Sequence, residues 1–148
     1  MKEIFNNIQD HSTLQIGCTH MQHFPNENEV EIAVSDFGVG IPETMRRKFP
    51  GLDDEAAVHH ASQLGVTAGT ERNRGIGLDH LINVIVNTNR GQVRITSGHG
   101  ELACRMVGQK HIREPRANPA FYPGTMPMIR LDTDTFQPDP VEEEDLQW

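Results

Sequence analysis

Features typical of membrane, secreted and nucleic-acid-binding proteins are missing from this sequence. No apolar run reaches the length of about 18 residues that a membrane helix requires, and the polar N-terminus MKEIFNNIQD lacks the apolar centre of a signal peptide. No stripe of Lys and Arg indicates binding to nucleic acid. We therefore expect a cytoplasmic protein without a membrane segment and without a nucleic-acid partner.

Cysteine is also scarce. The chain has only two cysteines, Cys18 and Cys104, which cannot build a framework of several disulfides. Both lie in stretches with the pattern of a strand. We therefore expect two buried thiols.

Basic residues are absent from the end of the chain. No Lys or Arg follows Arg130, whereas six of the 21 acidic side chains lie within residues 134–148. The formal net charge of −8 is therefore concentrated in this segment, and the rest of the chain is close to neutral. We predict one domain over residues 1–133 and an acidic, disordered tail over residues 134–148.

The order of apolar patterns along the chain predicts an α+β protein. Helical periodicity and helix-start signals predict helices over Lys2–His11, Pro42–Phe49, Asp53–Leu64 and Ile76–Thr88. Alternating patterns predict strands over Leu14–Phe24, Glu29–Asp36, Gln92–Ser97, Glu101–Val107 and Thr125–Leu131, the third and fourth forming a hairpin around Gly-His-Gly. Residues 65–75, rich in glycine, and residues 110–123, with three prolines, are predicted to be irregular. The expected fold is a two-layer sandwich, in which helices cover one face of a mixed, mostly antiparallel sheet.

A run of β-forming residues ends at Asp36 and opens directly into two glycines, in the sequence DFGVG. A carboxylate at a strand end can accept a hydrogen bond from an exocyclic amine. Gly38 and Gly40 allow the backbone to come close to a flat or phosphorylated ligand. The alternative interpretation is an ordinary turn that the Asp36 side chain caps.

A second glycine-rich stretch, ERNRGIGLDHL, leads into the most clearly amphipathic predicted helix. Gly75 and Gly77 stand at the start of this helix, where free N–H groups and the positive end of the helix dipole favour an anion. Arg72 and Arg74 add positive charge. No G-K-[ST] follows and a loop precedes, so the stretch is neither a Walker loop nor a Rossmann fingerprint.

Polar side chains recur along the predicted N-terminal helix. Glu3, Asn7 and His11 are spaced i, i+4 and i+8, so they share one helix face. A carboxylate, a carboxamide and an imidazole on one face could hold a hydrated Mg²⁺ and orient a water molecule. The alternative interpretation is a solvated helix face.

The three motifs together resemble one family. E-x-x-x-N, D-x-G-x-G and R-G-x-G-L, in this order and at these separations, are similar to the motifs of the GHKL ATPases. That family includes histidine kinases, gyrase-type topoisomerases, mismatch-repair ATPases, ninety-kilodalton chaperones and anti-sigma serine kinases. The resemblance extends from about Glu3 to Leu131 and implies the GHKL ATP-binding fold.

The resemblance implies a role for each residue that matches a motif. Asp36 would accept the N6 amine of adenine, and Gly38 and Gly40 would make room for the base. Asn7 would bind Mg²⁺ beside the triphosphate of ATP. Glu3 would be the catalytic residue that polarises the attacking water or hydroxyl.

Further residues of the nucleotide site are implied by the same resemblance. Arg74, Gly75 and Gly77 belong to the second glycine motif and would bind the nucleotide. Thr125 lies where the family often has a threonine near the adenine. Residues from about 49 to 74 would form a lid over ATP.

The resemblance leads us to interpret the chain as the Mg-ATP-binding domain of a histidine-kinase-like signalling protein. Such a domain would transfer a phosphoryl group to a protein side chain or hydrolyse ATP slowly. One alternative is an anti-sigma-type serine kinase, and another is a nucleotide-responsive protein-binding module without turnover. The phosphoacceptor or regulatory partner is not identified by the sequence. Because Glu3 lies two residues from the start, a fold that lacks its N-terminal portion is one interpretation.

Overall fold

The computed structural model describes residues 17–63 and 76–136. The strands are β1 (Gly17–Phe24), β2 (Glu29–Asp36), β3 (Gln92–Val107) and β4 (Lys110–Asp132). The helices are α1 (Gly40–Lys48), α2 (Asp54–Ala61) and α3 (Ile76–Ile82), and a π-helical segment (Asn83–Thr88) continues α3. The predicted helix over Lys2–His11 and the predicted loop over residues 65–75 lie outside the described residues.

The described strands form one antiparallel sheet in the order β1-β2-β4-β3. Its core face carries Ile32 and Val34 of β2, and Val58 of α2 and Ile82 of α3 pack against that face in one apolar cluster. The expected two-layer α+β fold, with helices on one face of the sheet, is therefore confirmed.

In strand β2 the alternating pattern directs the Asp36 side chain toward the core face. Ile32, Val34 and Asp36 are buried, and the residues between them are partly exposed. Side chains alternate across a strand, so every second residue points to the core face. Asp36 is the last inward side chain before the chain leaves the sheet.

The predicted hairpin around Gly-His-Gly is wrong, because Gln92–Val107 forms one continuous strand. The pairing register of this strand with β4 shifts on both sides of Gly98, which has a φ of +61°. The His99 N–H donates to the Asp54 carboxylate of α2 at 2.7 Å. The two glycines therefore form an irregularity that a helix stabilises, and the true turn follows Val107.

The prediction that residues 110–123 are irregular is also wrong. They belong to β4 in spite of the prolines at 115, 119 and 123. In the described structure β2 pairs with β4 only over Met128–Asp132, and the earlier part of β4 pairs with β3 alone. Proline is tolerated on such an edge strand. Where its nitrogen points away from the paired strand, no carbonyl of a neighbouring strand loses a hydrogen bond.

The predicted lid over residues 49–74 includes a packed helix, α2. Asp53 caps α2, as the sequence predicts, by accepting a hydrogen bond from the Ala56 N–H at 2.7 Å. Ala57 and Val58 of this helix are fully buried. Burial of this kind holds a helix in place, so α2 does not act as a mobile lid. The part of the predicted lid after residue 63 lies outside the described residues.

The two thiols differ in their surroundings. Cys104 is buried, as expected, but Cys18 is exposed, so the expectation of two buried thiols is wrong. The other residues of β1 are exposed or nearly so, because β1 is the outermost described strand beside β2. Within 17–63 and 76–136, no helix has both the length and the apolar character that crossing a membrane requires.

Candidate functional site

The Asp36 carboxylate is held at the end of β2 by two backbone donors. Its Oδ1 accepts the N–H of Gly38 at 2.7 Å and the N–H of Thr125 at 3.3 Å. The first bond is the capped turn that the sequence allows, and the second comes from a residue 89 positions away. Asp36 is only 8% exposed. Among the described residues no hydrogen bond reaches Oδ2, which leaves this oxygen as a fixed acceptor.

Two glycines with left-handed backbone pack in this site, Gly124 against the Asp36 carboxylate and Gly40 against Ser97. Gly40 has a φ of +78° and Gly124 a φ of +89°. A Cβ on Gly124 would stand 2.7 Å from Asp36 Oδ1 and would also clash with the Asp36 carbonyl. A Cβ on Gly40 would stand 2.9 Å from Ser97 Oγ. Both positions therefore need glycine for conformation and for close approach.

Sequence reasoning missed Ser97 in this site. Ser97 is fully buried in β3. Its hydroxyl donates to the Gly124 carbonyl at 2.6 Å and accepts from the Ile41 N–H at 2.9 Å. Its Oγ lies 3.5 Å from Thr125 Oγ1.

Strand register explains why these residues meet. β2 pairs Ala33 with Met128, so the same register brings Asp36 opposite Thr125 three residues further on. β3 pairs Thr96 with Met126, which brings Ser97 opposite Thr125 from the other side. The site is therefore a row across three neighbouring strands. The nearest sequence signal was Pro-Gly-Thr before the last predicted strand, and Ser97 carried no signal of its own.

The predicted site residues are only partly brought together. Asp36, Gly38, Gly40 and Thr125 meet as described above. Gly77 lies in the first turn of α3. Outside the described residues lie Glu3, Asn7, Arg74 and Gly75, together with His11 of the N-terminal motif.

An ion pair joins α1 and α2 beside the irregularity of β3. Arg46 Nη1 lies 2.6 Å from Asp54 Oδ1, while Asp54 Oδ2 accepts the His99 N–H. Burial raises the pKa of the Asp54 carboxyl, but the hydrogen bonds from Arg46 and His99 outweigh it and hold the pKa below its ordinary value of 3.8. The ionised Asp54 thus fixes the segment that follows Ser97.

A second ion pair anchors α3 to the sheet. Asp79, which is 6% exposed, accepts from Arg113 Nη2 at 2.7 Å and from Asn83 Nδ2 at 2.8 Å. Arg113 also donates to the Ser62 carbonyl. Because this ion pair is partly buried and Asp79 accepts two hydrogen bonds, it fixes helix α3, whose first turn contains Gly77.

The comparisons with known proteins concern the backbone fold. No family model and no curated protein sequence matches the chain. The structure is similar to the ATPase region of Saccharomyces cerevisiae topoisomerase II, with 11% identity and a TM-score of 0.48 over 90% of this chain and 35% of that one. It is also similar to the topoisomerase IV ATP-binding domain of Francisella tularensis, with 14% identity and a TM-score of 0.45 over 97% of this chain and 67% of that one.

Proposed function

We propose that this chain is an ATP-binding domain and that Asp36 recognises the adenine base. The observation that carries the proposal is the Asp36 carboxylate, whose Oδ1 is fixed by two backbone N–H groups. A carboxylate held in this way presents Oδ2 as an acceptor of fixed direction, which suits the N6 amine of adenine. Guanine carries an acceptor, O6, at the same place and is disfavoured by the same oxygen.

The surroundings of Asp36 fit a flat base. Gly124 packs so closely against Asp36 that a Cβ would clash with it, so backbone without a side chain borders this side of the carboxylate. Thr125 Oγ1 has Ser97 as its neighbour at 3.5 Å, and the Ser97 proton is directed at the Gly124 carbonyl. The Thr125 hydroxyl therefore supplies a second polar group beside the base.

The triphosphate and its metal are assigned to motif residues that, apart from Gly77, lie outside the described residues. Arg74 and Gly75, with Gly77 in the first turn of α3, would hold the phosphates, and Asn7 would hold Mg²⁺. Bound Mg²⁺ supplies positive charge that offsets the triphosphate. Glu3 would orient the attacking water or hydroxyl. These roles rest on the motif resemblance.

We propose a histidine-kinase-like domain that transfers the γ-phosphoryl group to a protein side chain or slowly to water. An anti-sigma-type serine kinase is the alternative that the Glu3, Asn7, His11 spacing favours. The second candidate class is a module in which bound nucleotide is read by a partner protein without turnover.

Calorimetric titration with ATP, ADP and GTP tests the adenine assignment. Asp36→Ala should weaken ATP and ADP alike, because a hydrogen bond to a charged group contributes roughly 1.5–3 kcal/mol, or about 10- to 150-fold in affinity. The native chain should bind GTP poorly. Equal affinity for ATP and GTP would contradict the assignment.

Asp132→Ala is a matched control for this experiment. Asp132 ends β4 at the opposite end of the sheet, where it pairs with Glu29. Its Oδ1 also accepts two backbone N–H groups, from Asp134 at 2.8 Å and from Thr135 at 3.2 Å. The variant therefore removes the same turn chemistry and should leave nucleotide affinity unchanged.

A further inference from the structure

Ser97 connects the two sides of the candidate site, and no motif assigns it a role. We propose that Ser97 is a positioning residue that sets the selectivity for adenine by aiming the Thr125 N–H at Asp36. This inference rests on the proposed function and adds the residue that fixes the recognising carboxylate.

The Ser97 hydroxyl both donates and accepts a hydrogen bond. A serine hydroxyl has one proton to donate and two lone pairs that accept. The proton is directed at the Gly124 carbonyl, 2.6 Å away, and one lone pair accepts the Ile41 N–H at 2.9 Å. Because Ser97 is 0% exposed, these protein groups take the place that water has at a surface serine. A single side chain thus ties the segment after Gly40 to the segment before Thr125.

Peptide planarity carries this constraint to Asp36. The peptide unit between Gly124 and Thr125 is planar, and in a trans peptide its C=O and N–H point in opposite directions. Ser97 holds the C=O, so the N–H is directed to the other side, where it donates to Asp36 Oδ1 at 3.3 Å. Gly124 is conformationally permissive, so the plane depends on an anchor of this kind.

Loss of the Ser97 hydroxyl should release the carboxylate. The peptide unit could then turn, and Asp36 would retain only the bond from the Gly38 N–H. The terminal torsion of an Asp side chain is broad, so Oδ2 would no longer have a fixed direction. The chain should then distinguish less well between a donor and an acceptor at position 6 of a purine.

The test compares ATP with ITP, which has a carbonyl oxygen in place of the 6-amino group. We expect Ser97→Ala to weaken ATP about tenfold and to leave ITP almost unchanged, so the ATP/ITP ratio falls about tenfold. In an Asp36→Ala background the same substitution should change ATP affinity less than twofold, because Ser97 acts through Asp36. A merely structural role would weaken ATP and ITP together, and by the same factor in both backgrounds, which would overturn the inference.

Ser62→Ala is the matched control, since Ser62 is also fully buried and donates to a backbone carbonyl, that of His59 at 2.7 Å. It should leave the ATP/ITP affinity ratio unchanged.

If Ser97→Ala does not fold, Ser97→Cys replaces it, because a thiol is a weak donor and acceptor. The ATP/ITP affinity ratio of Ser97→Cys should then lie between those of the native chain and Asp36→Ala. If the Ser97 variants keep the native ATP/ITP affinity ratio while Asp36→Ala loses its selectivity, this inference alone is overturned. A native chain without ATP preference overturns both proposals.

Discussion

Asp36 and Asp132 end neighbouring strands, and their side chains make similar turn hydrogen bonds. Asp132 is exposed, whereas Asp36 is 8% exposed and receives a second backbone N–H from a distant strand. Burial of a carboxylate is costly unless donors compensate it. Asp36, the proposed binding residue, therefore differs from the turn residue Asp132 because Gly124 and Thr125 approach Asp36.

Gly124→Ala should lower ATP affinity through its contact with Asp36. The added Cβ would stand 2.7 Å from Asp36 Oδ1, so the carboxylate must move. Gly51→Ala is the control, because Gly51 has a similar φ of +94° and nothing within 4 Å of its added Cβ. Both variants should lose about 1–2 kcal/mol of stability from the left-handed backbone, and Gly124→Ala should lose more because its Cβ also clashes with Asp36. Only Gly124→Ala should bind ATP more weakly by calorimetry. Equal affinities in the two variants would contradict the geometry of the site.

The two thiols should differ in reactivity. Burial raises the pKa of the Cys104 thiol to about 11, against a smaller lowering by the charge of Arg113, so it is protonated at neutral pH. Cys18 is exposed. Since the thiolate is the reactive form, a maleimide at pH 7.5 should label one thiol per native chain and two in denaturant. Cys18→Ser should abolish the native labelling, and labelling of two native thiols would show that Cys104 is accessible.

At the scale of elements, contacts between α1, α2 and β3 hold the segment that follows Ser97. Arg46 of α1 and the His99 N–H of β3 meet on Asp54 of α2. Gly98 and Gly100 let β3 pass so close that a Cβ at either position would clash with Asp54. The Gly-His-Gly segment of β3 therefore allows this strand to pack closely against α2.

Acid should weaken this junction. The pKa of Asp54 is lower in the folded chain than its ordinary value of 3.8, so its stabilisation is complete above about pH 4 and is lost as the pH falls through the lowered value. Urea unfolding of the native chain should therefore show a stability loss as the pH falls below about 4, and Asp54→Asn should reduce this loss. Glu55→Gln, on the same helix, is the control. An acid dependence that is the same in both variants would contradict this role for Asp54.

At the scale of the whole molecule, sheet order decides which residues meet. β4 lies between β2 and β3, so residues 36, 97 and 125 are adjacent although the chain separates them widely. The helices cover the face to which Asp36 points. The proposed site therefore lies at this end of the sheet, on the face that the helices cover.

The whole chain should bind ATP and hydrolyse it very slowly. If Glu3 is the base, Glu3→Gln should lower hydrolysis by about 10²–10⁴-fold and leave ATP binding intact. Glu43→Gln, an exposed acid in the first turn of α1, is the control. Hydrolysis is followed by ADP release with and without Mg²⁺. Measurable turnover that Glu3→Gln does not change would show that the base lies elsewhere, and absence of turnover would favour the binding module.

Local patterns determined much of the fold. Alternation in Glu29–Asp36 predicted β2, and Asp53 predicted the start of α2. Proline and glycine misled the prediction of β3 and β4, because their effect depends on whether the strand is an edge and on what approaches it. Such neighbours are distant in sequence and leave no local signal.

The sequence by itself determined that an acid ends a strand and that glycines follow it. The resemblance placed Thr125 near the adenine, but only the tertiary structure decided that the Thr125 N–H reaches Asp36. The tertiary structure alone also decided that Gly124 packs against Asp36 and that Ser97 holds the Gly124 carbonyl. The physical reason is the register of three strands, since hydrogen bonds across a sheet join residues whose separation along the chain is set by topology.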